Sequence, residues 1–135
     1  MLTAQSCRFE VFVVRQKACL RTQAVYRVLE LSSTRSGAFA QDYGLRDQIW
    51  CASFSVISNI AEGFEGGSDK EFSQFLVVVK ASCAEVRSQL HVAFDVGYLS
   101  EEQFQTLMDS ANEVGRPVGG LHAAALKRIA AQSRN

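Results

Sequence analysis

Apolar residues recur at three- and four-residue spacing along most of the chain, the pattern of helices with one buried face. Four segments carry it. The first spans about residues 11–33, with Val11, Val14, Ala18, Val25 and Val28 on its stripe and Arg21 where another apolar residue belongs. A polar stretch, Ser32 to Asp42, separates it from the second, Tyr43 to Phe64, which stops at the Gly66-Gly67 pair. The third opens on Ser68 with Glu71 three residues on, the pattern of a capping box. It keeps strict spacing through Phe72, Leu76, Val79, Cys83, Val86, Leu90 and Ala93 to Gly97. Ser100 with Gln103 opens the fourth, whose stripe is Phe104, Leu107, Ala111, Val114, Val118, Leu121 and Ala125. Pro117 lies inside that stripe, removing one backbone donor, so a kink or two shorter helices are expected there. It is the only proline, and β-turn dipeptides are scarce. The expected fold is all-α: an antiparallel up-down four-helix bundle in a single domain, 1–135, with residues 1–8 and 131–135 irregular.

The second segment has more sides than one core uses. Leu45, Ile49, Ala52, Val56 and Ile60 share one face, Trp50, Phe54, Ile57, Ala61 and Phe64 another, and Gln48, Ser55, Asn59 and Glu62 a polar row. One apolar face fills the subunit's own core, and the other needs a partner. Phe75 to Val79 is apolar all round, so that turn is expected to be buried on two sides. A homo-oligomer follows, with Trp50, Phe54, Ile57, Phe64, Phe75 and Val78 as its expected interface. If the second and third segments pack straight and antiparallel, residues whose numbers add to about 133 stand level. Asn59 then faces Gln74, Cys51 faces Ser82, and Gln48 faces Glu85. The two polar rows either satisfy each other or frame a polar groove.

Composition alters this picture little: 135 residues, 47% hydrophobic and 21% charged, fit one globular domain. Charge is zero overall but unevenly spread. Residues 1–46 hold 7 basic and 3 acidic groups, residues 47–113 hold 3 and 11, and residues 114–135 hold 4 and none. In an up-down bundle the first and last helices are neighbours, so Arg15, Lys17, Arg27, Lys127 and Arg128 could form one basic side. That side is either a solvated face or a contact for nucleic acid. The longest apolar runs, Val11 to Val14 and Phe75 to Val79, make neither a signal peptide nor a membrane span, so a cytoplasmic location is expected.

Chemistry-bearing patterns are missing. Cys7, Cys19, Cys51 and Cys83 form no CxxC pair and read as reduced thiols, with Cys83 on a core stripe. Neither His91 nor His122 has an acid three residues earlier, as a di-iron bundle needs, and both read as surface or interface residues. Gly63, Gly66 and Gly67 lack the lysine of a phosphate loop. Glu62 with Glu65, one turn apart, reads as a solvated edge, and an acid pair of Glu62 with Glu85 would need a pocket around it. The expectation is no catalytic residue, no metal and no cofactor.

Three blocks, SNIAEGF (Ser58 to Phe64), SDKEFSQFL (Ser68 to Leu76) and VGYLSEEQF (Val96 to Phe104), point further. Through them the chain resembles, over roughly residues 9–130, the 23S rRNA-intervening sequence protein family, which is similar in turn to the accessory variability protein of diversity-generating retroelements. The resemblance implies a left-handed four-helix bundle assembled as a ring, a homopentamer. It maps the family's recurring polar positions to Gln48, Ser55, Asn59, Glu62, Ser82 and Glu85, with no catalytic role attached. The retroelement relatives imply reverse-transcriptase or RNA binding through a basic surface, here Arg15, Lys17, Arg27, Lys127 and Arg128. This chain departs from the pattern at Trp50 and Cys51, where two basic residues are usual, at Ile57, where Pro is usual, and at Arg15, where Trp is usual. The family's basic character is correspondingly reduced.

Overall fold

The computed structural model describes residues 37–134. Among them are four helices and no strand: α1 (Ala38–Gln41), α2 (Tyr43–Glu65), α3 (Asp69–Asp95) and α4 (Glu101–Gln132). The expected first segment, with Arg21 in its stripe, lies outside the described residues. So do Cys7 and Cys19.

Each long helix starts where a side chain takes up an orphan amide. The Asp42 carboxylate accepts from the Leu45 amide at 3.0 Å, opening α2. Ser68 Oγ accepts from the Glu71 amide at 3.2 Å, while the Glu71 carboxylate reaches back to the Gly67 amide, one residue beyond the usual box partner. Ser100 and Gln103 form the complete reciprocal box. The α3 exit is a Schellman turn. Tyr98 donates to the Ala93 carbonyl and Gly97 to that of Phe94, with Gly97 at φ +82°, where a side chain would be strained.

Two expectations about helix extent are corrected. α4 is not split at Pro117, and it continues to Gln132 rather than ending before residue 131. An interior proline costs about 3 kcal/mol. Val114 and Val118 flank it and are both buried, and each contributes roughly 1.5–3 kcal/mol. Packing therefore outweighs the missing backbone bond. The second correction concerns the polar stretch before α2, which contains α1 and buries Phe39 against the stacked ring of Tyr98, 5.5 Å between centroids.

α3 lies between α2 and α4 and packs on both, whereas α2 and α4 scarcely approach each other. The core divides into two clusters along the bundle. One gathers Phe39, Ile49, Ala52, Val86, Leu90 and Leu107; the other Val56, Leu76, Val79, Cys83, Val114 and Val118. These are the stripe positions expected from spacing, apart from Phe39; Leu99, between α3 and α4, joins the first cluster without having been expected there. Near the α2–α3 turn the helices approach closely at Gly63, where an added Cβ would come within 3.1 Å of Phe75 Cβ.

Candidate functional site

α2 carries more of the expected functional residues than any other described helix, and its two flanks differ. On the flank toward α3, Ser82 Oγ donates to Ser55 Oγ at 2.9 Å, and Asn59 Nδ2 donates to the Ser55 carbonyl at 2.8 Å and its hydroxyl at 3.2 Å. Both serines are thereby satisfied in a low-dielectric seam. The register is one helical turn from the straight-packing expectation, since Ser82 meets Ser55 rather than Cys51. Cys51 is exposed, as are Gln48, Gln74, Glu62 and Glu85, and Glu85 accepts from Gln89 on its own helix. Of the six expected polar positions the structure joins Ser55, Asn59 and Ser82 and leaves Gln48, Glu62 and Glu85 at the surface. Polar pairing across a seam, rather than a groove lined with acids, is what these residues build.

On the opposite flank three donor atoms are shut from solvent with no hydrogen-bond partner: Arg46 Nε, Trp50 Nε1 and Ser53 Oγ. Ser53 is wholly buried. It sits four residues after Ile49 and three before Val56, inside the core stripe, a placement that spacing alone could have revealed. The Arg46 guanidinium reaches back through Nη1 to the Ala40 carbonyl at 2.6 Å and lies over the Tyr43 ring, 5.8 Å from its centroid. Leaving such groups unpaired costs about 1–3 kcal/mol each.

The expected interface residues separate by exposure. Phe54 and Val78 are 45% and 43% exposed, and Val77 beside the latter is 51% exposed. Phe75 to Val79 is thus covered on one side within a single chain, by way of Leu76 and Val79. Trp50, Ile57, Phe64 and Phe75 are half-buried. Trp50 and Ile57 pack on the second core cluster, Trp50 contacts Phe54 with centroids 5.7 Å apart, and Phe64 contacts Phe72 at 5.3 Å.

Of the basic set, Arg15, Lys17 and Arg27 lie outside the described residues. Lys127 and Arg128 are both exposed near the end of α4, but Arg128 Nε donates to Asp69 at 2.7 Å, and Gln132 reaches the other oxygen of that carboxylate. Half of the described basic pair is thus engaged by α3. At the far end of the bundle, Tyr98 donates its hydroxyl to Asp42 at 3.0 Å, which raises the phenol's pKa above its usual value because the proton bridges to a carboxylate. Burial pushes the Cys83 thiol up to about 11, outweighing the nearby Arg87 cation. His91 is exposed and edge-on to Phe104, and His122 is half-buried. Among the described residues, no three His, Cys, Asp or Glu side chains converge as metal ligands, and no helix is long and apolar enough to cross a membrane.

The sequence model of the 23S rRNA-intervening sequence protein family matches residues 10–120. The chain belongs to that family. A crystal structure described as a protein with unknown function from the S23 ribosomal protein family of Bacteroides thetaiotaomicron superposes with a TM-score of 0.67 at 16% identity, covering 81% of this chain and 97% of the other. At that identity the likeness concerns the fold alone. No curated protein matches significantly. For this 23S rRNA-intervening sequence protein, the site therefore has to be read from its own side chains: a satisfied serine seam, a stripe of buried unpaired donors, and exposed apolar residues on α2 and α3.

Proposed function

We propose that this family member is a non-enzymatic scaffold or accessory protein, its subunit an up-down, left-handed four-helix bundle and its assembly a ring-shaped homo-oligomer, a pentamer. The supporting observation is the exposure of Phe54, Val77 and Val78 in an isolated chain. Large apolar side chains in that setting favour an interface. The nonspecific alternative, singly scattered surface hydrophobics, predicts a monomer. Light scattering separates the two. A pentamer weighs about 75 kDa, five times the 14.9 kDa chain. Replacing Phe54 and Val78 together with serine is expected to lower that mass, and a wild-type monomer at micromolar concentration overturns the proposal.

One observation favours a second reading, RNA or reverse-transcriptase binding along the first and last helices. After Glu113 every charged side chain is basic: Arg116, Lys127, Arg128 and Arg134. Phosphate binding of this kind weakens steeply with salt. Retention of RNA at low salt, reduced by Arg27→Glu with Lys127→Glu, is the expected result under this reading. Absence of retention at the lowest salt removes it.

A further inference from the structure

α4 is supported unevenly along its length. Its first two thirds bury Leu107, Ser110, Ala111, Val114 and Val118. In residues 121–132 Ala125 alone is buried, while Leu121 and Ile129 are half-buried and Leu126 is 49% exposed. Apolar burial holds a helix in proportion to the area it covers, so the last third of α4 is the part least held by the core. The backbone is weakest at the same border. Pro117 has no amide to donate one turn back to the Glu113 carbonyl, and glycine, the least favourable helical residue after proline, follows at 119 and 120.

Close packing does not account for those two glycines. A Cβ added at Gly115 would lie 3.2 Å from Arg87 Nη1, so that glycine makes room for a side chain of α3. At Gly119 and Gly120 an added Cβ would meet no described atom within 4 Å. Their contribution is freedom of the backbone. Beyond them the helix is fastened by polar contacts at its far end. Asp69, the first residue of α3, accepts from Arg128 Nε at 2.7 Å through one carboxylate oxygen and from Gln132 Nε2 at 3.2 Å through the other. Arg128 is 48% exposed, so dissolved salt reaches the pair.

We propose that α4 is hinged at residues 117–120 and that residues 121–132 form an arm latched to the start of α3 by Asp69. The device depends neither on the size of the oligomer nor on a nucleic-acid partner. Little more than three turns long, the arm is too short to remain helical by itself once released, so it opens by melting as a unit. Opening uncovers the second core cluster where Leu121 packs on it and frees the Arg128 guanidinium from Asp69. Ionic strength sets the position of the arm, because salt weakens the exposed latch and leaves the buried stripe before Pro117 in place.

Amide hydrogen exchange, read residue by residue by NMR on the full-length protein, tests the device. Amides of residues 121–130 are expected to exchange together, roughly tenfold or more faster than those of residues 107–114 after correction for intrinsic rates. Gly119→Ala with Gly120→Ala should slow the whole arm by roughly tenfold, since each replacement raises helix propensity. Arg128→Gln, which leaves the start of α3 intact, should speed it by roughly two- to fivefold, the range of an exposed ion pair. High salt should do the same to the unaltered protein and have no further effect on Arg128→Gln. Rates that fall smoothly inward from Gln132, with no step at Gly120, mean ordinary end fraying and overturn the hinge. So does an arm as protected as residues 107–114, or one indifferent to the two alanines. Arm rates that slow as protein concentration rises assign the hold to a second copy and overturn the latch.

Discussion

The flank of α2 toward α3 and the flank away from it bury similar polar chemistry in opposite states. Toward α3, two hydroxyls and an amide find one another within about 3 Å. On the other flank a guanidinium nitrogen, an indole nitrogen and a hydroxyl are withdrawn from water with no hydrogen-bond partner. A buried donor is costly only when unmet. The first flank is therefore a finished seam. The second keeps its donors out of water without pairing them, a difference the apolar stripes alone could not reveal because they carry no information about hydrogen bonds.

The largest expected effect comes from the ridge both flanks share. Ile49 is fully buried, and Ile49→Ala is expected to lower stability by about 2–5 kcal/mol in urea denaturation, loosening both sides together. Alkaline pH acts next, on the α3 side. With its pKa raised to about 11 from 9.0, Cys83 stays protonated in the folded chain after the unfolded chain has ionised. Its contribution is therefore complete below pH 9 and is lost as pH climbs toward 11, by roughly 3 kcal/mol in all. Denaturation curves at pH 8, 9 and 10 should show the decline. Cys83→Ala should flatten it in the interval below pH 10, before the raised pKa of Tyr98 adds a loss of the same sign.

The comparison itself is sharpened by two serines. Ser82→Ala removes one side of the finished seam and is expected to cost about 1 kcal/mol. Ser53→Ala removes a buried hydroxyl that has no partner and is expected to be neutral or stabilising. A cost of about 1 kcal/mol for Ser53→Ala in the same urea series would instead mean that its hydroxyl is paired. The smallest effect is expected at the surface. Asp69→Asn, which breaks the Arg128 ion pair where Arg128 is 48% exposed, should change stability by no more than about 1 kcal/mol and lose that effect in high salt.

Spacing made α3 readable in advance. Its cap at Ser68, its stripe from Leu76 to Ala93 and its stop at Gly97 all agree, because a helix with one buried stripe on each side of a turn needs nothing from distant sequence. The α2–α3 register was less readable. Whether Ser82 meets Cys51 or Ser55 depends on the length of the Gly66–Ser68 connection and on how closely Gly63 lets Phe75 approach, and both are three-dimensional quantities. Phe39 escaped notice because a single aromatic residue in a polar stretch has no period. It becomes core only because Tyr98, far along the chain, stacks on it.

By itself the sequence determined that the chain is helical, where the described long helices begin, which stripe of each is apolar, and the family to which it belongs. These follow from caps and periodicity, which act within a few residues. Tertiary structure decided that α4 continues through Pro117, that Ser55 pairs with Ser82, that Arg128 is held by Asp69, and that three donors on α2 are buried without partners. Each of those outcomes depends on which atoms from separate helices exclude water from the same small volume, and no local pattern specifies that.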